Sequence, residues 1–129
     1  MMDLDQAVTK HAEWKMKFRA AITKQETMDV ATISKDNCCE LGKWLHGEAK
    51  AKYGKLGSHS ECVGKHATFH VEAGKVAIAI NLKKYKEASA MLDVGTPYAA
   101  ASSAVAVAIM HLKKKQPCKG ASIRDRTIA

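Results

Sequence analysis

The chain has 129 residues, 47% of them apolar, with two prolines, four cysteines and a formal net charge of +8. That length fits one domain around one core. The longest apolar stretch, residues 104–110, is too short to span a bilayer. The acidic start "MMDLDQAV" lacks the basic-then-apolar plan of a secretory leader, so a cytoplasmic protein is expected.

The first predicted helix covers residues 3–24. Leu4, Val8, His11, Phe18 and Ile22 recur at helical spacing, with Trp14 alongside, and His11 stands where a Leu is usual. Asp3 or Asp5 complements the positive helix start. The stretch "KQETMDVATISKDN" has weak periodicity and reads as a connector with room for one helical turn. Asp36 or Asn37 is expected to cap a second helix, "CCELGKWLHGEAKAKY", interrupted at Gly47 and ended by Gly54 and Gly57. Ser58 or Ser60 is expected to start a third helix with the stripe His59, Val63, His66, His70, Ala73, Ala77 and Ile80, breaking at Asn81. "LKKYKEASAML" predicts a shorter helix. Thr96 then caps, and Pro97 opens, a last helix over residues 97–115. Tyr53, Tyr85 and Tyr98 read as packing residues. The Ala, Lys, Leu and Met content, with so few prolines, favours helix over sheet. The expected fold is all-α: an antiparallel four-helix bundle with an additional short helix.

Charge divides the chain. Residues 113–129 carry six Lys/Arg and one Asp, and the rest carries 15 basic and 12 acidic side chains. The expected organisation is a helical bundle over 1–115 and a basic, disordered tail over 116–129. Because the body is nearly balanced, nucleic acid is not the expected partner.

Chemistry concentrates in three places. His66 and His70 lie one helical turn apart, so both imidazoles can reach one cation. A core-facing histidine is more often a hydrogen-bonded structural residue, but His11 also faces the core. Burying several unpartnered imidazoles costs about 1–3 kcal/mol each, and one shared metal relieves them all. Cys39, on another helix, adds a thiolate. Three nitrogens and a sulfur suit tetrahedral zinc and disfavour Mg²⁺ and Ca²⁺. Cys62, four residues before His66 and with His59 nearby, is an alternative to Cys39, and Cys38 is another. His46 and His111 read as surface residues, and His111 suits a helix C-terminus. In a reducing compartment Cys38, Cys39, Cys62 and Cys118 are thiols or ligands rather than a disulfide framework.

Three segments, "HAEW" at 11–14, "CELGKW" at 39–44 and "HATFH" at 66–70, together resemble the chemoreceptor zinc-binding (CZB) domain family over residues 4–114. The resemblance implies His11, Cys39, His66 and His70 as zinc ligands, a helical bundle that is often dimeric, and a regulatory role in bacterial signalling. It points to a chemoreceptor or a diguanylate cyclase as the output module, attached or acting in trans. Within "CELGKW", Gly42 is expected to let a neighbouring helix or an imidazole approach closely; Trp44 and the following Leu45 are expected to pack onto the bundle, and Trp14, one turn after His11, to cover the site or serve equally as plain core.

Other chemistries lack their residues. There is no Glu-x-x-His pair for a di-iron centre, no HExxH, no Cys-x-x-Cys-His and no glycine-rich phosphate loop. A four-ligand protein shell leaves no open position for a catalytic water, so no enzyme is expected. Two alternatives remain. One is an oxidant sensor working through the metal-bound Cys39 thiolate. The other is a metal-free helical interaction module whose basic tail contacts nucleic acid or anionic lipid.

Overall fold

The computed structural model describes residues 2–115, which are all-helical. The expected tail over 116–129, with Cys118, lies outside the described residues. The helices are α1 (Leu4–Lys24), α2 (Val30–Ile33), α3 (Glu40–His46), α4 (Glu48–Tyr53), α5 (Gly57–Asn81), α6 (Tyr85–Met91) and α7 (Pro97–Lys113). Among the described residues, no helix is long and apolar enough to cross a membrane.

Local chemistry explains most boundaries. Asp3 caps α1 by accepting from the Gln6 amide at 3.1 Å. Gln25 ends α1 in the left-handed region (φ 56°), and the Glu26 amide reaches back to the Ala21 carbonyl at 2.9 Å. α5 stops at Asn81 as expected, with Lys83 left-handed (φ 63°) and the Lys84 amide bonded to Ala79 O at 2.9 Å. Thr96 caps α7 and Pro97 occupies its first turn, again as expected.

Two helix starts differ from expectation. The second predicted helix is two pieces, α3 and α4, divided at Gly47 as expected, but its start differs. It is capped not by Asp36 or Asn37 but by Cys39, whose Sγ accepts from the Gly42 amide at 3.4 Å. A sulfur here does the work of the usual Ser or Asp oxygen. The third predicted helix, α5, begins at Gly57, with Leu56 at the cap position and no side-chain cap bond. Ser58 does not cap it; its buried hydroxyl lacks a protein partner.

α5 is the hub, packing against α7 above all and also against α1, α2, α3, α4 and α6. Phe69 of α5 meets Tyr98 of α7 at 5.7 Å, and Glu61 meets His111 at 3.1 Å, so these two helices run antiparallel. Asp5–Lys113 at 2.8 Å and Phe18–Tyr98 at 5.9 Å make α1 and α7 antiparallel too. Phe18, Phe69, Val76, Ile80, Leu92 and Ile109 are among the fully buried residues of one core. On α1 the buried face is Leu4, Ala7, His11, Phe18 and Ala21, with Val8 and Ile22 only half-buried. The expected stripe is thus rotated by one residue at each end, bringing the small Ala7 and Ala21 to the packed side.

The connector α2 lies across α5. Asn81 clasps it, accepting from the Met28 amide and donating to the Met28 carbonyl, both at 2.8 Å. Further along, Ser34 presses on Gly74, where a Cβ would meet the Ser34 side chain. This seating delivers the chain to Cys39 at a fixed position beside α1 and α5.

Candidate metal centre

His11 of α1, Cys39 at the head of α3, and His66 and His70 of α5 each offer one ligand atom, and these four atoms lie within 4.8 Å of one another. His66 Nε2 is 3.1 Å from His11 Nε2 and 3.0 Å from His70 Nε2. Cys39 Sγ is 3.8, 3.3 and 3.7 Å from the Nε2 atoms of His11, His66 and His70. The three imidazoles are buried and Cys39 is half-buried.

Hydrogen bonding fixes which nitrogens face inward. His11 Nδ1 donates to the Ala7 carbonyl and His70 Nδ1 to the Ile33 carbonyl, each at 2.8 Å. A carbonyl only accepts, so both rings carry their proton on Nδ1 and point a bare Nε2 lone pair at the cluster. His66 Nε2 has at most one proton to give and two such lone pairs to face. Its own Nδ1 is buried without a protein partner. A cation at the centre satisfies all three Nε2 atoms at once, and a backbone carbonyl behind the ring is the usual support of a metal-bound histidine.

The spacing fits a particular ion. Zinc–nitrogen and zinc–sulfur bonds at tetrahedral angles separate donor atoms by about 3.3 Å (N to N) and about 3.6 Å (N to S). The S–N separations of 3.3, 3.7 and 3.8 Å bracket the second value, and the N–N separations of 3.0 and 3.1 Å fall a little short of the first.

Electrostatics agree. Burial lowers the pKa of His11 and His70 and pushes that of His66 down to about 2, with the neighbouring histidines adding to the effect at His66. The rings are neutral ligands at physiological pH. Burial also raises the Cys39 thiol, while the amides of Gly42 and Leu41 pull it back. A metal cation held by the cluster would supply the remaining stabilisation of the thiolate.

The alternative ligands stand elsewhere. Cys62 is fully buried in the hydrophobic core, its thiol pushed up to about 12 by desolvation, and it is not in the cluster. Cys38 turns toward Asn37. His59 is occupied by the Leu45 carbonyl at 2.9 Å, which ties α3 to α5. His46 pairs with Asp36 at 2.9 Å and His111 with Glu61, both exposed as expected.

Gly42 has a different reason from the one expected. A Cβ there would collide with the Asp36 carbonyl oxygen and lie 2.8 Å from its carbon. It is the connector backbone that approaches, not a neighbouring helix or an imidazole. The Ile33 and Ala7 carbonyls went unread in the sequence. Ala7 lies four residues before His11 and was accessible from helix geometry, but Ile33 reaches His70 only through tertiary packing.

Comparison with known families matches residues 11–77, just over half of the chain and narrower than the span expected from the motifs, to the chemoreceptor zinc-binding domain. The matched span contains all four clustered residues. No curated protein and no solved structure matches the chain. By its family match, supported by a donor cluster that suits zinc, the chain belongs to the chemoreceptor zinc-binding (CZB) domain family.

Proposed function

We propose that this chain is a zinc-binding regulatory domain of bacterial signal transduction, without catalytic activity of its own, that holds Zn²⁺ through His11, Cys39, His66 and His70. The carrying observation is the convergence of three inward-facing Nε2 atoms and one Sγ within 4.8 Å from three separate stretches of chain. Such a centre links α1, α3 and α5, so gain or loss of zinc changes how these elements hold together. In this reading the domain is cytoplasmic, self-associates as a dimer, and passes the change to the output module of a chemoreceptor or a diguanylate cyclase. The α3–α4 pair serves as the fourth, antiparallel element of a bundle with α1, α5 and α7.

Elemental analysis of protein purified without added metal tests the centre. One zinc per chain is expected, and its loss in both Cys39→Ala and His70→Ala. Native protein without zinc that also fails to take it up overturns the reading.

A second reading, an oxidant sensor, draws on one specific observation: Cys39 is the half-buried member of the set, and with His11 it lines a surface pocket. Oxidising the thiolate removes the only anionic ligand. Titration with a thiol-directed oxidant is expected to release zinc in step with Cys39 modification. Zinc that stays bound to an oxidised Cys39 eliminates this version.

A further inference from the structure

We infer that the pocket between α1 and the head of α3 is the route by which a hydrated divalent cation reaches and leaves the cluster. This inference rests on the metal reading above and concerns access to that same site.

The four donors are unequally placed. His66, His70 and His11 are 0%, 3% and 5% exposed, whereas Cys39 is half-buried. A pocket of about 330 Å³ lies over Cys39 and His11. Six waters occupy about 180 Å³ at ~30 Å³ each, so the pocket is large enough for a cation with its inner water shell. The pockets at Ser34–Val71, beside Tyr98 and between α5 and α7 touch none of the four donors.

The charge at this mouth suits a cation. Apart from the donors His11 and Cys39, its ionisable side chains are Asp3, Glu13 and Glu40 against Lys10 and Lys17, a net charge of −1. The chain as a whole is +8, so the lip is locally acidic within a basic chain and disfavours a cation less than the rest of the surface does. Neither lysine projects freely. Lys17 Nζ lies 4.7 Å from the Trp14 ring centroid, and Lys10 is bonded to Glu40 at 2.9 Å.

That last pair acts as the latch. It runs from α1 to the residue beside Cys39, across the edge of the pocket. Both side chains are largely solvent-exposed, at 52% and 79%, so the bond is weak and opens readily. When it opens, the Glu40 carboxylate is left next to Cys39, facing an arriving cation. Of the four donor residues only Cys39 and His11 line the pocket, so they are the donors released first as the cation leaves.

The test follows zinc transfer from the loaded full-length protein to an excess of a chromogenic chelator, and the reverse uptake of Zn²⁺ by apoprotein. Gln6→Trp, which fills the pocket from an exposed position on α1, is expected to slow both directions by about tenfold while leaving the dissociation constant nearly unchanged. Lys10→Met, which removes the latch and one positive charge, is expected to speed uptake by about threefold to tenfold. Val71→Trp, which fills the pocket at Ser34–Val71, is expected to leave both rates unchanged.

Equal rates in Gln6→Trp and the parent, or equal slowing in Gln6→Trp and Val71→Trp, overturn the route while the metal reading stands. Should Gln6→Trp fail to fold, Lys10→Met decides alone, and an unaltered uptake rate sinks the route. A parent protein that binds no zinc overturns the metal reading and the route together.

Discussion

The two ends of α5 bury different mixtures of side chain. The N-terminal part sinks His59, His66 and His70 into the interior alongside Cys62 and Phe69, and the C-terminal part sinks only small and apolar residues such as Ala73, Val76, Ala77 and Ile80. The apolar part is held by contact area, a term that involves no bound proton or cation. The histidine part is held by hydrogen bonds to Leu45, Ile33 and the other imidazoles, and it leaves His66 Nδ1 without a protein partner. Its stability is therefore expected to depend on proton and cation concentration. The proposed regulatory role draws on this asymmetry, in which one part of a helix would answer to the medium and the other keep the fold.

The sharpest way to expose this difference is to compare a donor variant with a core variant in the presence and absence of zinc. At a thousandfold excess of free zinc over the dissociation constant, the parent is expected to gain about 4 kcal/mol in denaturant unfolding, and His70→Ala to gain nothing. Ile80→Ala, ten residues further along α5, is expected to lose about 2–5 kcal/mol through the cavity it leaves. It should nevertheless retain the full zinc increment. If Ile80→Ala lost the increment as well, the two parts would not be separable.

Acid provides a smaller and graded probe. The His66 pKa falls from an unfolded value of 6.5 to about 2 in the fold, so below pH 6.5 the unfolded chain binds a proton that the folded chain refuses. Stability is full above pH 6.5 and declines as pH drops toward 2, by about 1.4 kcal/mol per unit for this group. His11 and His70, lowered in the same direction, steepen the decline. Urea unfolding of apoprotein at pH 7.5, 6.0 and 5.0 measures it. A flat profile in the parent, or an unchanged slope in His66→Leu, contradicts the assignment.

The smallest expected effect lies far from the histidines. Lys83 adopts φ 63° just past the end of α5, a conformation that glycine enters without a Cβ penalty. Lys83→Gly is expected to raise stability by about 0.5–1 kcal/mol, equally with and without zinc, as read from the thermal midpoint. A zinc-dependent gain would mean that this end of α5 also senses the metal.

How much of this could be read from the residues follows the range of the interactions. Signals spanning one helical turn were plain: the His66–His70 pair, the break at Asn81, and Thr96 before Pro97. The three separated motifs pointed to the four donors through family resemblance, and the geometry brings those same four together. What escaped depends on chain segments meeting in space. Cys39 caps α3 because the connector delivers it there, and the sulfur was read only as a ligand. Gly42 is small because Asp36 passes over it. Gln25 and Lys83 take left-handed conformations that their side chains do not announce. The one-residue rotation of the α1 face favours Ala7 and Ala21 over bulkier neighbours, a choice made by close packing rather than hydrophobicity.

The Asp5–Lys113 ion pair has a consequence for wiring. It marks where the start of α1 lies beside the end of α7, so the two helix ends share one pole of the described residues. His11 stands six residues from Asp5, about 9 Å along the rod at 1.5 Å per residue. In the proposed regulatory reading, a displacement at the donors would have less than two helical turns to travel along α1 before it reached that pole.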